Sequence, residues 1–351
     1  MFSNPDFNRV LTALSCQQPD RVPLAELGID IKVREAFLGR PIDSLGDEVE
    51  FWRNAGYDYV LLGRRFLSLF PGIGFGKAYQ TKKESVDKEQ GWAAENKGVI
   101  TGLRDFEEYP WPDPEKADYS EFEEIGPYLL KGMKVIVYLA PIFQWIWMLM
   151  GFETFAFSLI ENPELISKMF TRVGEIRFRV FEKILERCRD IGAVWMLDDV
   201  AFGTGLMVSP DLIRKYLFPW FRRVKALCKE RELPLIYHSD GNFWMVLDDL
   251  VTIGINAIHP VEPNGMGAYV HRLKEGFRSK LCLVGGIDLD VLIRGTPEEV
   301  ERETRTRIME FASGGGYIAG SSNSIPGEVP VENYQMMLKS VLKYGRYPLT
   351  F

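Results

Sequence analysis

Histidine is scarce in this chain, with three residues among 351. Cysteine is hardly commoner: Cys16, Cys188, Cys228 and Cys282 are scattered, with no CxxC and no short paired spacing. That pattern speaks against a disulfide framework and a close-spaced thiolate metal site, and fits reduced, structural thiols in a cytoplasmic protein. Basic residues are not in excess either. Lys and Arg number 42 against 49 Asp and Glu, so the electrostatic footprint of a nucleic-acid binder is missing. Long apolar runs are absent too. The most apolar window, Tyr138–Phe152, holds Pro141 and Gln144 and is shorter than the roughly 20 residues a spanning helix needs. A buried loop and helix fit it better. The N-terminus, MFSNPDFNRVLTAL, lacks the cationic and apolar regions of a signal peptide. Neither a membrane nor nucleic acid is an expected partner.

What the chain does have is alternation. Short β-branched runs lie at Arg21–Glu26, Tyr57–Leu62, Lys134–Leu139, Ala193–Leu197, Pro234–His238, Asn256–Pro260, Leu281–Gly285 and Gly316–Gly320. They are continuously apolar, as strands covered on both faces of a parallel sheet are. Between them, helix starts are marked by Asn162-Pro163-Glu164, Ser209-Pro210-Asp211 and Thr296-Pro297-Glu298-Glu299. Eight strand–helix units in one chain of this length predict an α/β fold: a single (β/α)₈ TIM barrel spanning residues 1–351. Residues 77–113 break the rhythm and read as a hairpin excursion followed by a proline-rich loop.

In such a barrel, chemistry collects at the C-terminal ends of the strands. Those ends carry Glu26, Gly63-Arg64-Arg65, Asp198-Asp199, His238-Ser239-Asp240, His259-Pro260-Val261-Glu262, Asp288 and Ser321-Ser322-Asn323. Buried carboxylates are costly, so a ring of them implies protons, a cation or a polar ligand. An acid at a strand end also serves as a helix cap, and Asp198, Asp199 and Asp288 are open to that reading. His259, ahead of a proline, reads as a hydrogen-bonded barrel residue. His238 leaves an apolar strand with an acid two residues on, and is the strongest candidate for chemistry. His238 and Asp240, completed by Glu262 or one of Asp198 and Asp199, would also form a nitrogen and oxygen metal site. Phe143, Trp145 and Phe202 supply flat apolar faces suited to a planar ligand.

The stretches HSDGN, VLDDLVTIGINAIHPVEP, LKEGFRSKLCLVGGID, GTPEEV and GGYIAGSSNSIPGEVPVEN resemble the uroporphyrinogen decarboxylase superfamily. PDRVPL, APIFQWIWMLMGFE and LMVSPDLIRKYLFPWF extend the likeness over nearly the whole chain. The resemblance implies a (β/α)₈ barrel and separates two chemistries. Decarboxylases of this superfamily carry an MRQAGR-type motif, an aspartate after the second strand and a histidine in a GHGI-like turn. Here those places read AELGIDIKVREAF, LLGRRF and SSNSIP. The corrinoid-dependent branch that methylates thiols holds zinc with His-x-Cys and a later cysteine, where this chain has Asp240 and Asn323.

What remains similar are the donor-side methyltransferases. These take a methyl group from a donor such as an aryl methyl ether and pass it to cob(I)alamin on a separate corrinoid protein. The resemblance thus implies a corrinoid protein and a methoxylated aromatic as partners, and a homodimer. Zinc, if bound, would not be held by cysteine. In this reading His238 and Asp240 assist the leaving oxygen, with Asp198, Asp199 and Glu262 tuning them. Phe143, Trp145, Phe202, Arg64, Asn323 and Glu26 would contact the donor. The alternatives are a decarboxylase or lyase, for which Arg64 and Arg65 are the mouth-side cations, and a non-catalytic tetrapyrrole-binding barrel.

Overall fold

The computed structural model describes residues 4–72, 98–262 and 266–349. Its frame is a curled parallel sheet of seven strands. These are β1 (Tyr59–Leu62), β2 (Lys134–Leu139), β3 (Ile191–Leu197), β6 (Leu235–His238), β7 (Ala257–His259), β8 (Cys282–Val284) and β9 (Tyr317–Ile318), paired in that order. A short antiparallel hairpin, β4 (Ala201–Phe202) with β5 (Gly205–Leu206), follows β3. Helices separate the successive sheet strands and cover the outer face, and the protein is a TIM-barrel-like α/β fold.

The first expected strand is reduced. Arg21–Glu26 is tied to the last strand by one parallel bridge, Leu24 to Ala319. Ala25 N–H donates to Ala319, and Ala319 N–H to the Pro23 carbonyl. Pro23 has no N–H to give, so the ladder cannot extend through it. On its other side, Tyr59 takes the place of a ladder: its hydroxyl accepts from Glu26 N–H at 2.8 Å and donates to the Glu26 carbonyl.

Helix starts follow their chemistry. Asn162, Ser209 and Asp288 each accept a first-turn amide, and Thr296 with Glu299 forms a reciprocal capping box. Phe143–Met150 is buried nearly all round, which makes it a core helix. It meets the helix Phe152–Glu161 at a bend of 100°, and among the described residues no single helix is long and apolar enough to cross a membrane. Of the expected insertion, residues 77–97 lie outside the described residues. The remainder forms the helix Leu103–Glu108 and a loop in which Trp111 packs on Phe106 and Tyr109.

Just past β1, Gly63 N–H donates to the half-hidden carboxylate of Glu121 at 3.0 Å. Burial pushes Glu121 up to about 7, against the pull of Arg65 and of that amide. The folded chain therefore holds this proton more tightly than the unfolded one does. Its stabilising contribution is complete below the ordinary value of 4.5 and is lost as pH rises through about 7. The urea midpoint should fall further between about pH 5 and about pH 8 in the wild type than in Glu121→Gln. Equal falls in the two proteins would remove Glu121 as the cause.

Candidate active site at the strand ends

Register builds the site. In the β3–β6 pair Leu197 stands opposite His238, so the residues two further on, Asp199 and Asp240, also come side by side. In the β6–β7 pair His238 stands opposite His259. The two imidazoles meet Nδ1 to Nδ1 at 2.8 Å, one ring donating and the other accepting. Burial, with neighbouring His238 adding to it, holds His259 well below the usual imidazole range, so His259 stays neutral. Its ring stands edge-on to Trp195, with centroids 4.9 Å apart.

With Nδ1 committed, His238 presents Nε2 to the carboxylates. Asp199 Oδ1 lies 3.5 Å away and Asp240 Oδ1 3.8 Å. Asp199 also accepts the Asp240 amide at 2.9 Å, and Asn323 Nδ2 donates to both Asp240 oxygens at 3.0 and 2.9 Å. Burial, reinforced by the Asp199 charge, pushes Asp240 up to about 6, while His238 and Asn323 pull it down. One ligand atom from each of Asp199, His238 and Asp240 lies within 4.8 Å of the others, a set able to hold a divalent cation.

The third member of the cluster is therefore Asp199 in this geometry. Glu262 stands just outside, its Oε1 accepting Gly241 N–H at 2.7 Å. Burial pushes the Glu262 carboxyl above the usual carboxylate range, against the pull of that amide. Gly241 itself has φ +79, and a Cβ there would lie 2.5 Å from the Phe202 backbone, so the turn after Asp240 can approach the β4–β5 hairpin only as glycine. Asn242 N–H donates to the Phe202 carbonyl, and Phe202 is 55% exposed beside this turn.

Other expected site residues lie elsewhere. Asp198 turns away from its neighbour: Oδ2 accepts the amides of Ile142 and Phe143, and Oδ1 that of Gln144, all at 2.9 Å. Burial pushes it up to about 7 while the three donors oppose the shift. Phe143 and Trp145, expected to flank a ligand, are 1% and 0% exposed. Phe143 packs edge-on to Phe155, and the Arg177 guanidinium lies over Trp145. Arg64 donates to the Leu27 carbonyl and faces a cleft of about 350 Å³ shared with Arg34, Glu48, Arg65 and Glu121, whose walls include none of the three clustered residues. Glu26 is fully buried against Ser321.

The comparisons with known proteins agree with this architecture. The pattern of the family described as uroporphyrinogen decarboxylase (URO-D) matches residues 94–344. A uroporphyrinogen decarboxylase of Mannheimia succiniciproducens is 23% identical over 221 residues, 56% of this chain and 59% of that protein. One from Pseudoalteromonas atlantica is 23% identical over 316 residues, 84% of this chain and 80% of its own length. The first two relatives are thus matched over about three fifths of their length. Among solved structures, a methyltransferase from Methanosarcina mazei superposes with a TM-score of 0.69 at 16% identity, covering 96% of this chain and 98% of the other. At that identity the likeness speaks for the fold. With more than half of its length matched, the chain belongs to the uroporphyrinogen decarboxylase family.

Proposed function

We propose that this barrel moves a methyl group from a small donor, most simply an aryl methyl ether, to the cob(I)alamin of a separate corrinoid protein. The observation that carries the reading is the Asp199–His238–Asp240 cluster at the strand ends. Co(I) is a strong nucleophile, whereas an alkoxide or phenolate is a poor leaving group. As cobalt attacks the methyl carbon, the C–O bond breaks and its electron pair goes to oxygen. A proton must reach that oxygen in the same step, giving methyl-Co(III) and the free phenol.

Asp240 is suited to hold that proton, because burial and Asp199 push it up to about 6. His238, fixed by His259 through Nδ1, aims Nε2 at the same place. The donor set, one imidazole nitrogen and two carboxylates, equally fits zinc, which when bound would act there as a Lewis acid on the ether oxygen. Exposed Phe202 offers the donor ring an apolar face. A polycarboxylate substrate needs several cations, and this cluster presents acids where those would stand.

The test is direct. Purified protein, a Co(I) corrinoid protein and a panel of methoxyarenes should convert the Co(I) absorption spectrum to that of methyl-Co(III), with the demethylated phenol as co-product. No turnover across the panel, together with CO₂ release from a porphyrinogen, would replace this reading with a decarboxylase.

A further inference from the structure

Glu26 and Ser321 join the first segment of the fold to the last, and their hydrogen bonds do not balance if Glu26 is a carboxylate. Ser321 N–H donates to Glu26 Oε1 at 2.8 Å. Ser321 Oγ lies 2.6 Å from Glu26 Oε2 and 2.5 Å from the Asn323 carbonyl oxygen. A hydroxyl has one proton to donate. Two such short contacts to acceptors need a second proton, and a carbonyl cannot supply it. It must sit on Glu26. The surroundings agree. Glu26 is 0% exposed, its backbone is pinned by the Tyr59 hydroxyl, and the other ionisable groups facing it are the buried phenols of Tyr57 and Tyr334, which bond each other at 3.0 Å. No ion pair reaches Glu26 among the described residues. Burial pushes it up to about 8, opposed only by the two Ser321 bonds. Gly320 leaves the room: a Cβ there would stand 1.9 Å from the Ala25 carbonyl and 3.4 Å from Glu26 Oε1.

We infer that Glu26 is a neutral carboxylic acid whose O–H donates to Ser321, freeing the serine hydroxyl to hold the Asn323 carbonyl and so to position Asn323 against Asp240. The chain runs from Glu26 to Ser321, from Ser321 to Asn323, and from the Asn323 amide to both oxygens of Asp240. Glu26 is thus a positioning residue, one that acts on Asp240 without facing the ligand. It tolerates an amide in its place, because a glutamine can donate to Ser321 Oγ and accept from Ser321 N–H.

Two readouts test this, neither of which requires that the proposed methyl transfer be right. At neutral pH the infrared difference spectrum between wild type and Glu26→Gln should contain a buried carboxylic-acid C=O stretch belonging to the wild type. A carboxylate band in its place would overturn the inference. In protein carrying ¹⁵N in its asparagine side chains, the Asn323 amide resonance can be assigned by its loss in Asn323→Ala. It should keep its position in Glu26→Gln and move in Ser321→Ala. A resonance that moves as far in Glu26→Gln, or not at all in Ser321→Ala, would break the chain. If Ser321→Ala fails to fold, Ser321→Thr, which retains the hydroxyl, should leave the resonance in place, and a shift there would count equally against it.

Discussion

His238→Ala is expected to lower the rate of the proposed methyl transfer by roughly 10²- to 10⁴-fold, the range that positioned acid–base catalysis supplies. The argument rests on how the ring is held. Its Nδ1 is committed to His259, a neutral, fully buried partner, so Nε2 has one direction to face, toward Asp199 and Asp240. Removing the ring takes the imidazole out of the cluster and leaves the two carboxylates facing each other without it. It also strips His259 of its partner, at a cost of about 1–3 kcal/mol for an unmet buried polar group. The activity loss must therefore be measured on protein whose urea unfolding shows the fold intact. His259→Asn, whose side-chain amide reaches the place of Nδ1, should recover more activity than His259→Leu. His238→Ala retaining a third or more of the wild-type rate would take His238 out of the chemistry and leave the cluster a structural one.

The strand order was legible because apolar runs in a parallel sheet are long and uninterrupted. Tyr57–Leu62 contains all of β1, and Lys134–Leu139 is β2 itself. Arg21–Glu26 misled for a reason also written in the sequence: Pro23 interrupts its donors, and the segment closes against Tyr59 through a side chain. The pairing of Asp199 with Asp240 was less visible. It depends on register across two strands whose paired residues lie 41 apart in the chain, and a list of strand ends does not contain that register. The inward turn of Phe143 and Trp145 was hidden for a related reason. A helix that is apolar on nearly every side gives no sign of which face stays open, and here Phe143 and Trp145 are both buried.

Asp198 carries the sharpest consequence of alternation. Successive residues of a strand point to opposite faces, so of the two neighbouring acids Asp199 turns to the histidine and Asp198 toward the surrounding helices. There it accepts three consecutive amides at the start of the helix Phe143–Met150, a place where the helix dipole and the unpaired N–H groups both favour an acceptor. It also faces the buried guanidinium of Arg177. Burial lowers Arg177 to about 9, and Asp198 is the largest influence resisting that shift. Asp198→Ala would orphan three buried donors at once and leave Arg177 without its counter-charge. At about 1–3 kcal/mol for each of the three unmet donors, a loss of roughly 3–9 kcal/mol is expected, a large part of what holds a domain folded. Asp198→Asn, which keeps one acceptor oxygen, should lose roughly half as much. Urea unfolding of the two variants against wild type measures both numbers. A loss below about 1 kcal/mol in Asp198→Ala would mean that water satisfies those amides and that Asp198 is not what anchors the helix.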